Sequence, residues 1–290
     1  MSEFLEYSLL GLLSGGVLAL MGLSFVLIYK GTRVVNFAVG EIMMLGAYLY
    51  YTGHVVLKLR PPVAFGLALA VIAVVSVALE RLVLRPLSGQ PVIAVLMATI
   101  GLSSIGHGLV ESAWGGDTYE VAPLLPRVPL AFGEVLVPGS VVGNFAVAAA
   151  LIGAFVLFFR YSRTGVAMRA TASDGVTAAT LGIDIRNVQR MIWVLSGLVG
   201  TVAGVLVAAT SGLSPFLSAA AMGSFAVIIL GGLDSVFGAI VASLSIGWIE
   251  GLAVGYVGGK ARDLLPYVVV LAILIVKPYG LFGTRNIERL

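Results

Sequence analysis

The chain has 290 residues, of which 59% are hydrophobic and only 11% are charged, with 37 glycines, no cysteine and a net charge of +3. An ordinary soluble domain carries roughly 25% charged residues, so this chain has too few to cover a water-facing surface. The composition excludes a soluble enzyme, a nucleic-acid-binding protein and a disordered chain. The missing cysteines exclude disulfides and thiolate metal sites. The composition therefore indicates a polytopic membrane protein.

Nine apolar stretches, two of them containing a glutamate, predict membrane-embedded helices, since crossing the hydrocarbon layer takes about 20 apolar residues. In chain order they are Tyr7–Tyr29, Asn36–Tyr51, Pro62–Leu79, Pro91–Val110, Gly139–Phe159, Met191–Thr210, Ala219–Leu233, Ser235–Tyr256 and Leu264–Val276. The Gly-Gly-Leu-Asp-Ser break at 231–235 fits a turn between two spans or the tip of a re-entrant pair. We predict an all-α polytopic membrane protein with about eight or nine transmembrane or re-entrant helices.

Basic residues predict the orientation, because lysine and arginine accumulate on the cytoplasmic side of a membrane. Residues 111–134 hold four acidic residues and one arginine, whereas residues 160–190 hold five arginines and two aspartates. Four basic residues disagree with this count: Lys58, Arg60, Lys260 and Arg262. We expect the N-terminus outside, the C-terminus inside, and 160–190 in the cytoplasm. Residues 1–290 are expected to form one transmembrane domain, since no loop reaches the roughly 50 residues of a folded domain.

Small residues recur at four-residue spacing, which permits close contact between helices in a membrane. The pairs are Gly11 with Gly15, Gly200 with Gly204, and Ser104 with Gly108. Residues 14–22 resemble residues 196–204, and residues 36–39 resemble residues 224–227. Because the predicted topology gives the two copies opposite directions, an inverted repeat is one hypothesis, and many transporters have this architecture.

Five polar residues at membrane depth are candidates for a translocation path, because such groups usually face a bundle interior or water. They are Asn36, Glu41, Thr99, Ser103 and Glu250. Asn36 and Glu41 are expected at the cytoplasmic mouth of the path, and an ion pair of Glu41 with Arg33 or Lys30 is the alternative. The hydroxyls of Thr99 and Ser103 can instead bond back to their own helix.

Three further polar residues are interpreted as structural. Asp234 suits a helix-capping turn. His54 and His107 have no acidic residue or second histidine at metal-ligand spacing, so we interpret both as ordinary polar residues. We therefore expect no catalytic residue and no metal ligand in this chain. Nor does the chain contain a Walker A motif, so a pump built from it would need its ATPase on another polypeptide.

The loop at 160–190 contains a predicted short helix, Val176–Leu181. Ser173 or Asp174 would be a good N-cap for it, and Gly182 a good stop. The flanking arginines fit a connector that binds anionic lipid. The same features also fit a docking helix that inserts into a cleft of a soluble partner, and both interpretations stay open at this point.

Seven stretches, in order along nearly the whole chain, carry a resemblance to a known family. They include Arg-Val-Val-Asn-Phe-Ala-Val-Gly-Glu at the start of 33–48 and Leu-Gly-Gly-Leu within 226–238. The others are 85–94, 98–103, 164–172, 181–184 and 277–283. Together they resemble the permease subunits of ABC importers for branched-chain amino acids, of the LivH-like type. The resemblance covers about residues 8 to 283.

This resemblance implies a permease of the bacterial or archaeal cytoplasmic (inner) membrane. It would pair with a second homologous permease subunit, two cytoplasmic ATPase subunits that bind ATP and magnesium, and an extracytoplasmic solute-binding protein. No cofactor is expected in this chain itself. The loop at 160–190 would couple the permease to the ATPase through Arg163, Gly165, Arg169, Ala178, Ala179 and Gly182. The glutamate that many importer permeases carry in this loop is absent here, which weakens the assignment of individual residues.

Alternatives to a branched-chain amino acid importer follow from the same residues. Permeases for urea and short amides have similar sequences. A secondary transporter driven by an ion gradient would need an indispensable acidic residue, with Glu41 and Glu250 as candidates. A protease or scaffold is the third hypothesis, and the lack of a catalytic constellation argues against the protease.

Overall fold

A computed structural model describes residues 2–87, 89–121, 129–132, 135–277 and 280–283. Its helices are α1 (Ser2–Thr32), α2 (Val39–Tyr51), α3 (Pro61–Leu79), α4 (Val92–Trp114), α5 (Gly139–Tyr161), α6 (Arg163–Ser173), α7 (Gly175–Thr180), α8 (Ile185–Ser211), α9 (Leu217–Gly231), α10 (Val236–Tyr256) and α11 (Lys260–Val276). One π-helical turn continues α2 (Thr52–Val56) and another continues α3 (Glu80–Leu84). A short hairpin pairs β1 (Leu130–Phe132) with β2 (Val135–Val137).

The helices confirm the predicted all-α polytopic membrane protein. Each of the nine apolar stretches corresponds to one helix, and six helices in the described residues are long and apolar enough to cross a membrane. With 15 residues, α9 is shorter than the about 20 residues of a full crossing. Arg127 and Glu134, which belong to the 111–134 charge count, lie outside the described residues.

The centre of the bundle is formed by α1 and α8. Their most apolar 18-residue windows are 72% buried, whereas the corresponding window of α4 is only 6% buried. A helix that is apolar on all sides needs apolar neighbours all round, and α1 receives them from α5, α8, α9 and α10. The hydroxyl of Ser196 in α8 donates to the carbonyl of Ser24 in α1 at 2.8 Å. The two helices that share the repeat-like sequence therefore pack together, while the repeat itself stays a prediction.

Two of the three predicted small-residue pairs are helix contacts. A Cβ atom at Gly11 would lie 2.5 Å from the carbonyl oxygen of Gly247 in α10. Gly200 and Gly204 lie against Met43 in α2. The third prediction is wrong within the chain: nothing lies within 4 Å of a Cβ at Gly108, and Ser104 is exposed. The reason is that α4 sits at the periphery and turns this face outward.

The turn between α9 and α10 corrects one prediction. Ser235, not Asp234, is the N-cap of α10, because its hydroxyl accepts a hydrogen bond from the Gly238 amide at 2.9 Å. Asp234 instead presents its backbone carbonyl to Lys30 Nζ at 3.3 Å. The turn thereby fastens the end of α1 to the start of α10.

Candidate translocation path and coupling surface

A polar seam between α2 and α4 brings together four of the five predicted path residues. Asn36 is 3% exposed and its Oδ1 accepts from the Ala38 amide at 3.0 Å, which fixes the turn before α2. Thr99 bonds back to the carbonyl of Leu96 at 2.9 Å, as the alternative interpretation anticipated, and also faces the Phe37 amide at 3.4 Å. The turn before α2 is thus held against α4.

Glu41 bonds to α4 instead of pairing with Arg33 or Lys30. Ser103 Oγ donates to Glu41 Oε1 at 3.1 Å, and His107 Nδ1 lies 3.7 Å from Oε2. His107 thus lies beside Glu41, at a distance longer than a hydrogen bond. Because Ser103 lies midway along α4, the Glu41 carboxylate lies at half the length of that helix. The position of Asn36 and Glu41 at the cytoplasmic mouth of a path stays a prediction.

The start of α9 meets the start of α2 beside Glu41. A Cβ at Gly40 would lie 2.9 Å from the carbonyl oxygen of Ser218, and the Ser218 hydroxyl lies close to the Glu41 carboxylate. The rings of Phe37 and Phe225 are 6.1 Å apart and extend the contact between the two segments. The first turns of α2 and α9, whose free amides carry partial positive charge, therefore lie beside the same carboxylate.

Glu250 lies apart from this seam, so the structure does not unite the five predicted residues in one site. Glu250 lines a cavity of about 840 Å³ between α1, α5, α8, α9, α10 and α11. The walls are mostly apolar, with Asn144, Thr210 and Ser214 among the polar residues. Leu217 lines this cavity and its neighbour Ser218 lies at Glu41, so the first turn of α9 separates the cavity from the seam.

The predicted coupling residues divide into an anchor and an outward surface. In the anchor, Arg169 donates to the carbonyl of Phe159 and lies over its ring, with Cζ 5.5 Å from the centroid. Gly165 is buried against the same carbonyl, where a Cβ would collide. Arg163 is exposed beside them. These residues fix α6 to the end of α5.

The outward surface is α7, and its predicted caps are confirmed. Asp174 Oδ1 accepts from the amides of Val176 and Thr177 at 2.9 and 3.1 Å. The Thr177 hydroxyl and these amides hold the pKa of Asp174 below its usual value. Gly182 ends the segment with φ of +85°, a conformation that favours glycine. Ala178 is buried, whereas Ala179 is exposed.

Two apolar side chains on α7 and just after it stand out from the fold. Val176 is 78% exposed and Leu181 is 77% exposed, although both flank a well-capped helix. Near the end of α6, Arg33 Nη2 donates to the carbonyl of Ala172 at 2.7 Å. The segment α6–α7 therefore carries an exposed apolar tip and is bonded at its base to the end of α1.

Sequence reasoning missed Ser218 and His107 as neighbours of Glu41. Neither is adjacent to Glu41 in sequence, and only the packing of α4 and α9 on α2 brings them together. Ser218 follows a Pro-Phe-Leu turn and carried no signal. His107 lies four residues after Ser103, on the same face of α4, which is the one signal that linked it to a predicted path residue.

A helical bundle of membrane-spanning length, with a polar seam inside and a capped apolar tip outside, defines a polytopic transport permease. A family model described as the permease component of the branched-chain amino acid transport system matches residues 7–276. The chain belongs to this family. It is a multi-pass membrane protein and a transport subunit.

Named relatives agree with the family match. The permease protein BraD of a high-affinity branched-chain amino acid system in Pseudomonas aeruginosa is 26% identical, with 99% of this chain and 98% of that protein covered. The corresponding LivH of Escherichia coli is 27% identical, with 99% and 97% covered. A nucleoside ABC transporter permease, NupC of Lactococcus lactis, is 30% identical over 54% of this chain and 52% of that protein. Proteins similar to this chain thus carry names with different cargoes.

Proposed function

We propose that this chain is the permease subunit of an ABC importer that moves branched-chain amino acids into the cell. It pairs with a second homologous permease, two cytoplasmic ATPase subunits that hold ATP and magnesium, and an extracytoplasmic solute-binding protein. It forms one transmembrane permease domain in the cytoplasmic membrane, with its N-terminus outside and its C-terminus inside. The full-length match to two branched-chain amino acid permeases supports this assignment.

The Glu41 site is the observation that carries the substrate proposal. An amino acid is a zwitterion, and its ammonium group suits the Glu41 carboxylate that Ser103 and His107 hold. Its carboxylate suits the N-termini of α2 and α9, because broken helices in transporters direct such ends at anionic groups near the bilayer midplane. Asn36 and Thr99 order the turn at this site. Glu250 and the cavity of about 840 Å³ form the vestibule on the outer side.

The coupling proposal concerns the segment α6–α7. The capped α7 with Val176, Ala179 and Leu181 facing outward fits insertion into a cleft of the ATPase. Gly165, Arg169 and the Arg33 contact pass movement of this helix to α5 and α1. Closure of the ATPase dimer would push on α7 and change which side of the bundle is open. The family membership favours this mechanism over one driven by an ion gradient.

Reconstitution tests the function. The chain, its partner permease and the ATPases would be reconstituted in vesicles. ATP would be supplied on the side that the ATPases face, and the binding protein on the opposite side. Radiolabelled leucine should accumulate on the ATPase side only with hydrolysable ATP. Leucine, isoleucine, valine, urea and uridine would serve as competitors, and competition by uridine or urea alone would reject the substrate. Accumulation after ATP depletion, driven by a sodium or proton gradient, would reject the ABC mechanism.

The absence of cysteine permits a clean test of the orientation. Single cysteines would replace Asp117 and Val176, both of which are exposed. A membrane-impermeant maleimide applied to intact cells should label the cysteine at 117 and not the one at 176. The opposite labelling pattern would reverse the proposed topology, and labelling in permeabilised cells is the control for accessibility.

A further inference from the structure

An ion pair between a buried glutamate and a partly exposed arginine links α3 to α8 outside the path and the coupling segment. Glu80 is 2% exposed, and its Oε2 lies 3.8 Å from Nε of Arg190. Neither atom has a hydrogen-bond partner in the described part of the chain. The Arg190 side chain is 28% exposed, so the buried charge is that of Glu80, and a buried charge is costly unless hydrogen bonds also satisfy it. The arrangement therefore contributes little to static stability and calls for another explanation.

Arg190 lies close behind the coupling helix in the chain. Between α7 and α8 there are only four residues, 181–184, and they are well ordered: the Ile183 amide donates to the carbonyl of Ala178 at 3.1 Å. Asp184 caps α8 through the Arg186 amide at 3.0 Å. Arg190 follows about 8 Å along α8, at 1.5 Å per residue. A movement of α7 is therefore delivered to α8 just before Arg190.

Glu80 lies at a place where α3 can adjust. It begins the π-helical turn Glu80–Leu84 that ends α3, where wider hydrogen bonds replace the regular α-helical ones. One turn earlier, the hydroxyl of Ser76 is buried without a hydrogen-bond partner in the described residues. The same hydroxyl lies against Gly197 of α8, where a Cβ would collide. Helices α3 and α8 are thus closely packed, and the polar atoms named here at their contact lack hydrogen bonds in the described residues.

We propose that Glu80 and Arg190 are positioning residues that pass the movement of α7 through α8 to α3, and that their ion pair breaks and re-forms in each transport cycle. This inference rests on the proposed function, since it assumes that α7 contacts an ATPase. A pair held by charge without hydrogen bonds keeps the two helices in register, yet it can separate when α8 is displaced. Transport and ATP hydrolysis would remain linked only while this pair can switch.

The decisive variant replaces the pair by apolar residues, E80M together with R190M. Exchanging a buried ion pair for apolar residues of similar volume is often neutral for folding, because no single charge is left behind. The double variant should assemble with its partners and hydrolyse ATP within about twofold of the unmodified complex. Leucine transported per ATP hydrolysed, measured in vesicles with the binding protein, should fall at least about fivefold. The matched control is R81Q, since Arg81 is the exposed neighbour of Glu80.

Each outcome decides the inference. An unchanged transport-to-hydrolysis ratio in the assembled double variant would overturn it, and so would failure of that variant to assemble, because the pair would then serve folding alone. R190K keeps a charge but not the planar guanidinium, and its ratio should lie between the two extremes. If the unmodified complex does not transport leucine, the proposed function fails independently of this inference. The amount transported per ATP hydrolysed would then be measured with the competitor that the complex does transport.

Discussion

Helices α1 and α10 touch through glycine backbone, whereas α2 and α4 touch through polar side chains. The first contact is a seam of glycines in which Gly11 and Gly15 meet Gly247 and Gly251 with backbone touching backbone. The second is polar: Ser103 and His107 reach across to Glu41. A close glycine contact has little room to repack, whereas a contact made through three polar side chains can exchange partners.

The two contacts indicate which helices can move. Helices in a membrane associate by close packing, without a hydrophobic force between them, so the glycine seam fixes α10 on the central helix α1. The peripheral α4 has few buried residues and is held to the bundle mainly through α2. We infer that substrate passes along the polar seam while the glycine seam stays closed.

The largest effect is expected from filling the glycine seam. Gly247→Leu places a side chain where even a Cβ would lie 2.6 Å from Cα of Gly15. Overpacking commonly costs about 1–3 kcal/mol, and a rigid backbone contact belongs at the upper end. The thermal unfolding temperature in detergent should fall by about 5–10 °C. Gly153→Leu on α5, where nothing lies within 4 Å, is the control; equal stability of the two variants would contradict the close contact.

The next effect concerns the coupling surface. Ala179→Trp adds a large ring to the exposed side of α7 without touching the buried Ala178. Leucine transport should fall by roughly tenfold, as expected for a lost contact of about 1.4 kcal/mol, while ATP hydrolysis by the complex continues. Val166→Trp changes an equally exposed position on α6 and should transport normally. Normal uptake by Ala179→Trp would show that α7 does not dock.

Arg169 provides a second approach to the same surface, from the anchor side. Arg169→Glu removes the bond to the Phe159 carbonyl and the contact with its ring. The segment α6–α7 should then lose its fixed position on α5, and hydrolysis should again proceed without uptake. If Arg169→Glu retains uptake while Ala179→Trp does not, Arg169 is not needed for coupling. The contact between Arg33 and Ala172 would then be the remaining connection from α6–α7 to the bundle that we propose.

A loss of transport without loss of hydrolysis or assembly is also expected at the polar seam. Glu41→Gln keeps the shape but removes the charge proposed to meet the substrate ammonium. A charged hydrogen bond contributes about 1.5–3 kcal/mol, so leucine transport should fall by roughly 10- to 100-fold. Glu111→Gln, at an exposed position on the same α4 helix that contacts Glu41, should leave it unchanged. If both variants transport leucine equally well, Glu41 has no part in the path.

The sequence predicts the helices well because membrane spans need long apolar runs, and each of the nine runs is a helix in the structure. The caps at Asp174 and Gly182 were also predictable, since both depend on neighbours only two to four residues away. The partners of Glu41 were not predictable. An ion pair with Arg33 or Lys30 was the alternative interpretation of Glu41, and only the packing of α2 on α4 places it beside Ser103.

The candidate site shows the same limit. Glu250 and Glu41 are both acidic residues in apolar helices, and composition gives no reason to separate them. The structure assigns one to the cavity and the other to the seam, divided by the first turn of α9. The pair of Glu80 and Arg190 carried no sequence signal either, because its residues are 110 positions apart and belong to different helices.

A modest effect is expected from the cap of α7. The hydrogen bonds lower the pKa of Asp174, so the cap stabilises α7 above the unfolded pKa of this carboxyl and is lost as pH falls through its folded value. Asp174→Ala should therefore speed amide exchange of Val176 and Thr177 by about two- to fivefold at neutral pH. Asp174→Asn, which can still cap, should behave nearly like the unmodified chain there and lose the dependence on acid pH. Identical amide exchange rates in all three proteins would show that the Asp174 side chain does not stabilise α7.

The smallest effect is expected on the outer face of α4. Gly108→Leu adds a side chain where nothing lies within 4 Å, so the unfolding temperature of the isolated chain should stay within about 1 °C of the unmodified value. Gly247→Leu makes the same substitution on a helix face that is in close contact with α1, so the two unfolding temperatures can be compared directly. A drop that appears only in the assembled complex would show that the second permease covers this face. If the unfolding temperature of the isolated chain falls as much as in Gly247→Leu, then α4 packs inward at Gly108. The inference that α4 can move would then be wrong.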